Sequence, residues 1–258
     1  MEQLRGNLQI DGMGTSAGGE FNEVVINGMG TISSEVHAGK IDVNGMGTFG
    51  GAVTSDVIKV AGTANFKELV TTEHLKIMGT ANLSSDVQAV EVFVEGNADF
   101  HGSLKSEGIK IEGKCKIKGD CETEVFEGVG QIKISGQLNG DAIRINTYFK
   151  SEVYEIVGSA IEIKRSGNSV TEILSKVFDS VFSNNLAVNT IEGDGISIDY
   201  TNARVVRGED IVIGEHCEID LVEYSGTLKQ HPRSKVRETR KIERDTNKNE
   251  NENGNEEV

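Results

Sequence analysis

Glycine returns in this chain at a fixed step. Gly12, Gly28, Gly45, Gly62, Gly79, Gly96 and Gly113 follow one another at a step of 16 and then of 17 throughout. Two residues before each stands Ile10, Ile26, Val43, Val60, Ile77, Val94 or Ile111. Two residues after each stands a small residue: Gly14, Gly30, Gly47, Ala64, Ala81, Ala98 or Cys115. A further apolar series, Val36, Val53, Val70, Val87, Leu104, Cys121 and Leu138, keeps the same step. One copy of such a unit is too short to bury an apolar face, whereas copies stacked in register bury it against one another.

Inside a copy the apolar positions alternate, as at Val92, Val94, Gly96, Ala98 and Phe100. Alternation marks strands with one buried face, and the spacings of three and four that a helix needs are missing. A coil of this length suits three short strands around a dry triangular interior, which is a parallel β-helix. The chain shows no six-residue sub-period of the left-handed hexapeptide form, so the right-handed form is expected. Residues 1–165 hold about nine or ten coils, roughly 45 Å at about 4.8 Å each. Ile196/Ile198, Ile211/Ile213 and Ile219/Leu221 resume the alternation and predict two or three more coils over 189–228.

Between these blocks, in 166–188, the period changes. Val170, Ile173, Leu174, Val177, Phe178, Val181 and Phe182 fall at steps of three and four and predict an inserted amphipathic helix over 169–184. Ser169 with Glu172 forms a capping box at its start, and Asn184-Asn185 is a stop signal. This helix is the candidate surface for a partner or a membrane. From Lys229 to Val258 the composition turns polar and charged, which predicts a disordered tail.

Composition excludes several classes. Gly numbers 31 but Pro only 1, and Gly does not fall at every third position, so the chain is not collagen. No apolar run approaches a membrane span, and Met1 to Gly6 lacks the order of a secretory signal. Three cysteines fit free thiols in a reducing cytoplasm. A net charge of −15 disfavours nucleic acid and anionic lipid, which leaves any membrane association weak or indirect.

The chemistry-bearing residues read as structural. Gly45-Met46-Gly47-Thr48-Phe49-Gly50 fits G-x-G-x-x-G, but a strand rather than a helix follows and the motif recurs in each coil, so it marks turns. Cys115 and Cys121 occupy inward slots of the repeat, and no C-x-x-C is present. His37, His74, His101, His216 and His231 hold non-equivalent positions. The expectation is no catalytic residue, no metal, no cofactor and no small-molecule substrate.

These residues resemble the bactofilins, the polymer-forming cytoskeletal family of bacteria. The resemblance rests on the Gly-centred repeat over 8–138 and on polar ends flanking a β-helix. The segment Val206-Arg207-Gly208-Glu209-Asp210-Ile211-Val212-Ile213-Gly214, followed by Ile219-Asp220-Leu221-Val222-Glu223-Tyr224-Ser225-Gly226, looks like the end of the longer Gram-positive type. The resemblance implies end-to-end filaments that need no nucleotide, a scaffolding role in cell shape, polarity or motility, and a second copy or a paralogue as partner. The chain departs from the simple family pattern in its length, in the inserted helix, and in lacking the family's N-terminal membrane-targeting peptide before the first coil.

The end coils of a β-helix expose strand edges and an apolar cross-section. The expected contacts are a twofold N-to-N contact through Leu4, Leu8 and Ile10, and a second contact through Ile211, Ile213, Ile219 and Leu221. The competing reading is a soluble module that does not polymerise and offers the 169–184 helix to a partner. An acyltransferase or polysaccharide-active enzyme would need a His or carboxylate cluster between coils.

Overall fold

The structure, a computed structural model, describes residues 6–146, 149–165 and 186–243. These residues form strands, turns and bends with no helix among them, and all the strands belong to one sheet wound upon itself. The result is a parallel β-solenoid of about 13 turns with about 17 residues per coil. At about 4.8 Å per turn the rod is roughly 60 Å long.

A representative coil pairs the long strand Val87–Val94 with the short strand Asn97–Phe100. Val87 lies beside Leu104, Val92 beside Ile109 and Ala98 beside Cys115, one repeat apart in each case. The long strand spans two faces of the triangle. Its inward residues are Val87, Ala89, Val92 and Val94, so the alternation slips by one at Val90 and Glu91, where the strand-to-strand register also skips. That slip is a corner. Buried hydroxyls satisfy the carbonyls there. Ser106 Oγ lies 2.8 Å from Val90 O and 2.9 Å from Gly108 O, and Thr123 Oγ1 lies 3.0 Å from Glu107 O and 3.1 Å from Val125 O, so each hydroxyl shares its one proton between two carbonyls.

The repeating glycine occupies the corner between long and short strands. A Cβ on Gly79 would overlap the carbonyl oxygen of Gly62 in the preceding coil, and the same holds from Gly28 to Gly130. Close stacking of backbones therefore demands glycine here, not a left-handed conformation. Among the described glycines only Gly18 and Gly19 have positive φ.

Side chains from equivalent positions stack into columns that fill the interior. Phe49, Phe66, Phe100 and Phe126 are fully buried, and the rings of Phe49 and Phe66 stack at 4.8 Å. Ile, Val and Leu occupy most of the remaining inward positions.

Two boundaries differ from the sequence reading. The predicted helix and its apolar stripe (Val170, Ile173, Leu174, Val177, Phe178, Val181 and Phe182) lie outside the described residues. The coils resume at Leu186 instead of 189, in the strand Leu186–Ile198. The register crosses the insertion intact: Ser151 pairs with Leu186 and Ile163 with Ile198.

The second difference is at the other end. Residues 228–241, taken mostly as disordered tail, form another layer, with strands at Leu228–Gln230 and Lys235–Lys241. The charges that suggested disorder point outward and pair with the coil beneath, as Arg237 does with Asp220 at 2.9 Å. Leu228 and Val236 meanwhile keep the inward columns of Ile211 and Ile219.

Candidate functional site

In a solenoid whose sides are self-satisfied, the remaining hydrogen-bonding capacity lies at the ends. At the first end, Gly6–Ile10 pairs only with Gly19–Ile26, and Met13–Ser16 only with Met29–Ile32. Among the described residues the outer edges of these two strands meet no other strand. The inward side chains of this layer include Leu8, half-buried, and Ile10, buried. Leu4 lies outside the described residues.

A polar ladder runs down one corner and stops here. Asn44 Nδ2 donates to Asn27 Oδ1 at 2.9 Å, and Asn27 Nδ2 donates to Asp11 Oδ1 at 2.8 Å. Gln9 also donates to Asp11, at 2.9 Å. The Gln9 and then the Asn27 hydrogen bond hold the Asp11 carboxyl below its ordinary range, so it remains a carboxylate. Beside the ladder, Met13, Met29 and Met46 stack in register on the surface, all exposed.

At the second end, Ile211, Ile213 and Ile219 are buried and Leu221 is half-buried. They do not form the end face, because Leu228–Gln230 and Lys235–Lys241 cover them. The sequence reading stopped the coils one layer too early. Polar residues continue half of the apolar columns in this last layer: Gln230 follows Ile213 and Thr239 follows Val222. The repeat-length steps from Cys217 to Ser234 and from Ile219 to Val236 were the signal that could have revealed the layer.

The first layer, residues 6–18, holds Asp11 as its one charged side chain, and the second layer adds Glu20, Glu23 and Glu35, with Glu23 paired to Lys40 at 3.0 Å. Residues 229–241 hold Lys229, Arg233, Lys235, Arg237, Arg240 and Lys241 against Glu238 alone. Along the sides, two arginines sit between acids of both neighbouring coils. Arg144 lies between Glu127 at 3.6 Å and Glu162 at 3.9 Å, and Arg207 between Glu192 at 3.3 Å and Glu223 at 2.8 Å. In the last layer the neighbouring coil lies on one side only: Lys235 reaches Glu218 at 3.3 Å and Arg240 reaches Glu223 at 3.5 Å.

The remaining chemistry-bearing groups are dispersed. Cys115, Cys121 and Cys217 are buried free thiols, and burial raises all three, Cys217 to about 11. His37 contacts Glu35 at 3.0 Å, His74 contacts Glu91 at 3.1 Å, and the His216 ring lies tilted against Tyr200 with centroids 4.9 Å apart. The Gly45–Gly50 motif forms a corner and the strand Met46–Phe49, with no helix after it. Phe93 lies in an open groove of about 700 Å³ between Lys76 Nζ at 4.9 Å and Lys110 Nζ at 5.3 Å. Among the described residues no group of three or more His, Cys, Asp or Glu is placed to hold a metal ion. No helix among them is long and apolar enough to cross a membrane.

The chain is 32% identical over 106 residues to the uncharacterized protein YhbF of Bacillus subtilis (strain 168), a segment that is 41% of each chain. It is 40% identical over 57 residues to the uncharacterized protein YhbE of the same organism, 22% of this chain and 24% of that one. The aligned segments thus cover less than half the length of either relative. No family model matches the chain, and no solved structure matches it.

Proposed function

We propose that this chain is a structural protein, a rigid rod that joins end to end into filaments without nucleotide and serves as a cytoplasmic scaffold of the bactofilin kind. Organising motility, cell shape or polarity is the role that resemblance suggests, with a second copy or a paralogue as partner. One observation carries the reading: each end layer is hydrogen-bonded along one edge only, among the described residues, so each end offers the strand edges that hold the rod itself together. The half-buried Leu8 adds apolar area to that contact.

Electron microscopy and sedimentation of the purified protein, without nucleotide, test this. Filaments are expected. Leu8→Lys, which puts an ammonium group into the end face, should weaken assembly at least several-fold. A single small species at high concentration would overturn the proposal in favour of a discrete binding module. Equal assembly by Leu8→Lys would show that the first layer takes no part.

A further inference from the structure

We infer that Met13, Met29 and Met46 together form a binding site for copper(I), a soft monovalent cation held by their three thioether sulfurs. The inference does not depend on self-assembly. Strand register carries its first step. Met13 pairs with Met29 and Met29 with Met46, so side chains a whole coil apart in sequence stand on adjacent strands about 4.8 Å apart. All three face outward and are 82%, 45% and 52% exposed, so packing of the core does not account for them. The repeat does not account for them either. The same column continues as Thr63, Thr80, Asn97, Lys114 and Gln131, polar at every one of these later coils. The chain has five methionines, and three of them fall in these consecutive places.

The chemistry of the donors selects the ion. Thioether sulfur is a soft ligand that favours copper(I) over the hard cations, which take oxygen. A methionine side chain is unbranched and has three rotatable bonds, so the outer two can lean toward the middle one and bring three sulfurs onto one ion. Their outward neighbours along the strands, Thr15, Thr31 and Thr48, are small and stack in the same register, which leaves the sulfurs room to converge. Across the corner at Gly12, Asp11 places a negative charge two residues from Met13. Hydrogen bonds from Gln9 and Asn27 keep that carboxyl ionised. Residues 6–35 contain no Lys or Arg to repel a cation. The thiols are poor rivals, because Cys115, Cys121 and Cys217 are buried and burial raises all three.

Anaerobic calorimetric titration of the full-length chain with copper(I), kept in solution by acetonitrile, tests this. One copper(I) per chain should bind. Met29→Leu keeps the size and apolarity of the side chain but removes the sulfur, and it should weaken binding at least tenfold. Replacing all three methionines by Leu should abolish the site. Met78→Leu removes an exposed thioether from a different column and should change nothing. These positions face outward, so the circular dichroism of each variant should match that of the parent. Affinity should be equal at about pH 6 and pH 8, because a thioether has no proton to lose. Absence of binding would overturn the inference. Equal binding by the triple Leu variant would overturn it and assign the metal to thiols or imidazoles, as would an affinity that climbs steeply with pH. An equal loss on Met78→Leu would reveal unselective thioether binding and overturn it too.

Discussion

At Gly79 the wound chain leaves room for a hydrogen and nothing larger. A methyl group there would meet the Gly62 carbonyl oxygen, which belongs to backbone and cannot turn aside. Gly79→Ala should therefore destabilise the rod by about 1–3 kcal/mol, the usual cost of overpacking. Gly108 provides the control, because it lies within the strand Leu104–Ile111 with nothing within 4 Å of a Cβ. Gly108→Ala should be neutral or raise stability by about 0.5 kcal/mol through lost unfolded-state freedom. Chemical denaturation of the two variants separates a glycine that the fold requires from one that it tolerates. The sequence displayed this difference as periodicity: Gly79 has a glycine one repeat before it and one after, while Gly108 is aligned with Glu91 and Val125. It did not display the hydroxyl column of Ser55, Thr72, Ser106 and Thr123, because buried hydroxyls look like surface residues until the carbonyls they satisfy are known.

Between strands, the connections differ widely in length at constant register. Lys164 and Leu186 flank the long insertion 165–185, yet the next coil crosses the corresponding corner with only Asp199 and Tyr200. Ser151 still pairs with Leu186 and Ile163 with Ile198, so the ladder keeps one register across the insertion. Replacing residues 165–185 with a two-residue turn should leave a cooperatively unfolding β-rod, with midpoint stability within about 1 kcal/mol of the parent. Collapse of the strand signal in circular dichroism would show that those residues hold the later coils in place. The strands on both sides were legible from alternation. The last layer was not, because Lys235–Lys241 presents charge at nearly every outward position and retains only Val236 as an apolar mark. A strand at the tip of a stack has one neighbour, so its composition reports exposure as much as pairing.

Over the whole molecule, the separation of charge was written in the chain and hidden by the choice of window. Counted from Lys229 to Val258, acids and bases nearly cancel, whereas the layer 229–241 is strongly basic and the residues after it acidic. Only knowing where the last coil ends divides the two. The bases of the last layer pair with the acids of the coil beneath, Lys235 with Glu218 and Arg237 with Asp220, and these exposed pairs are screened by salt. Raising sodium chloride from about 0.05 to 0.5 M should therefore lower the stability of the rod by less than about 1 kcal/mol, read by chemical denaturation. A larger loss would show that charge rather than strand pairing holds the last layer. The corner between Arg165 and Leu186 acquires a further meaning if rods are joined end to end. Each subunit carries that break at the same height along its own rod, so whatever is tethered there would be displayed as a row of stations, one to each rod length of roughly 60 Å.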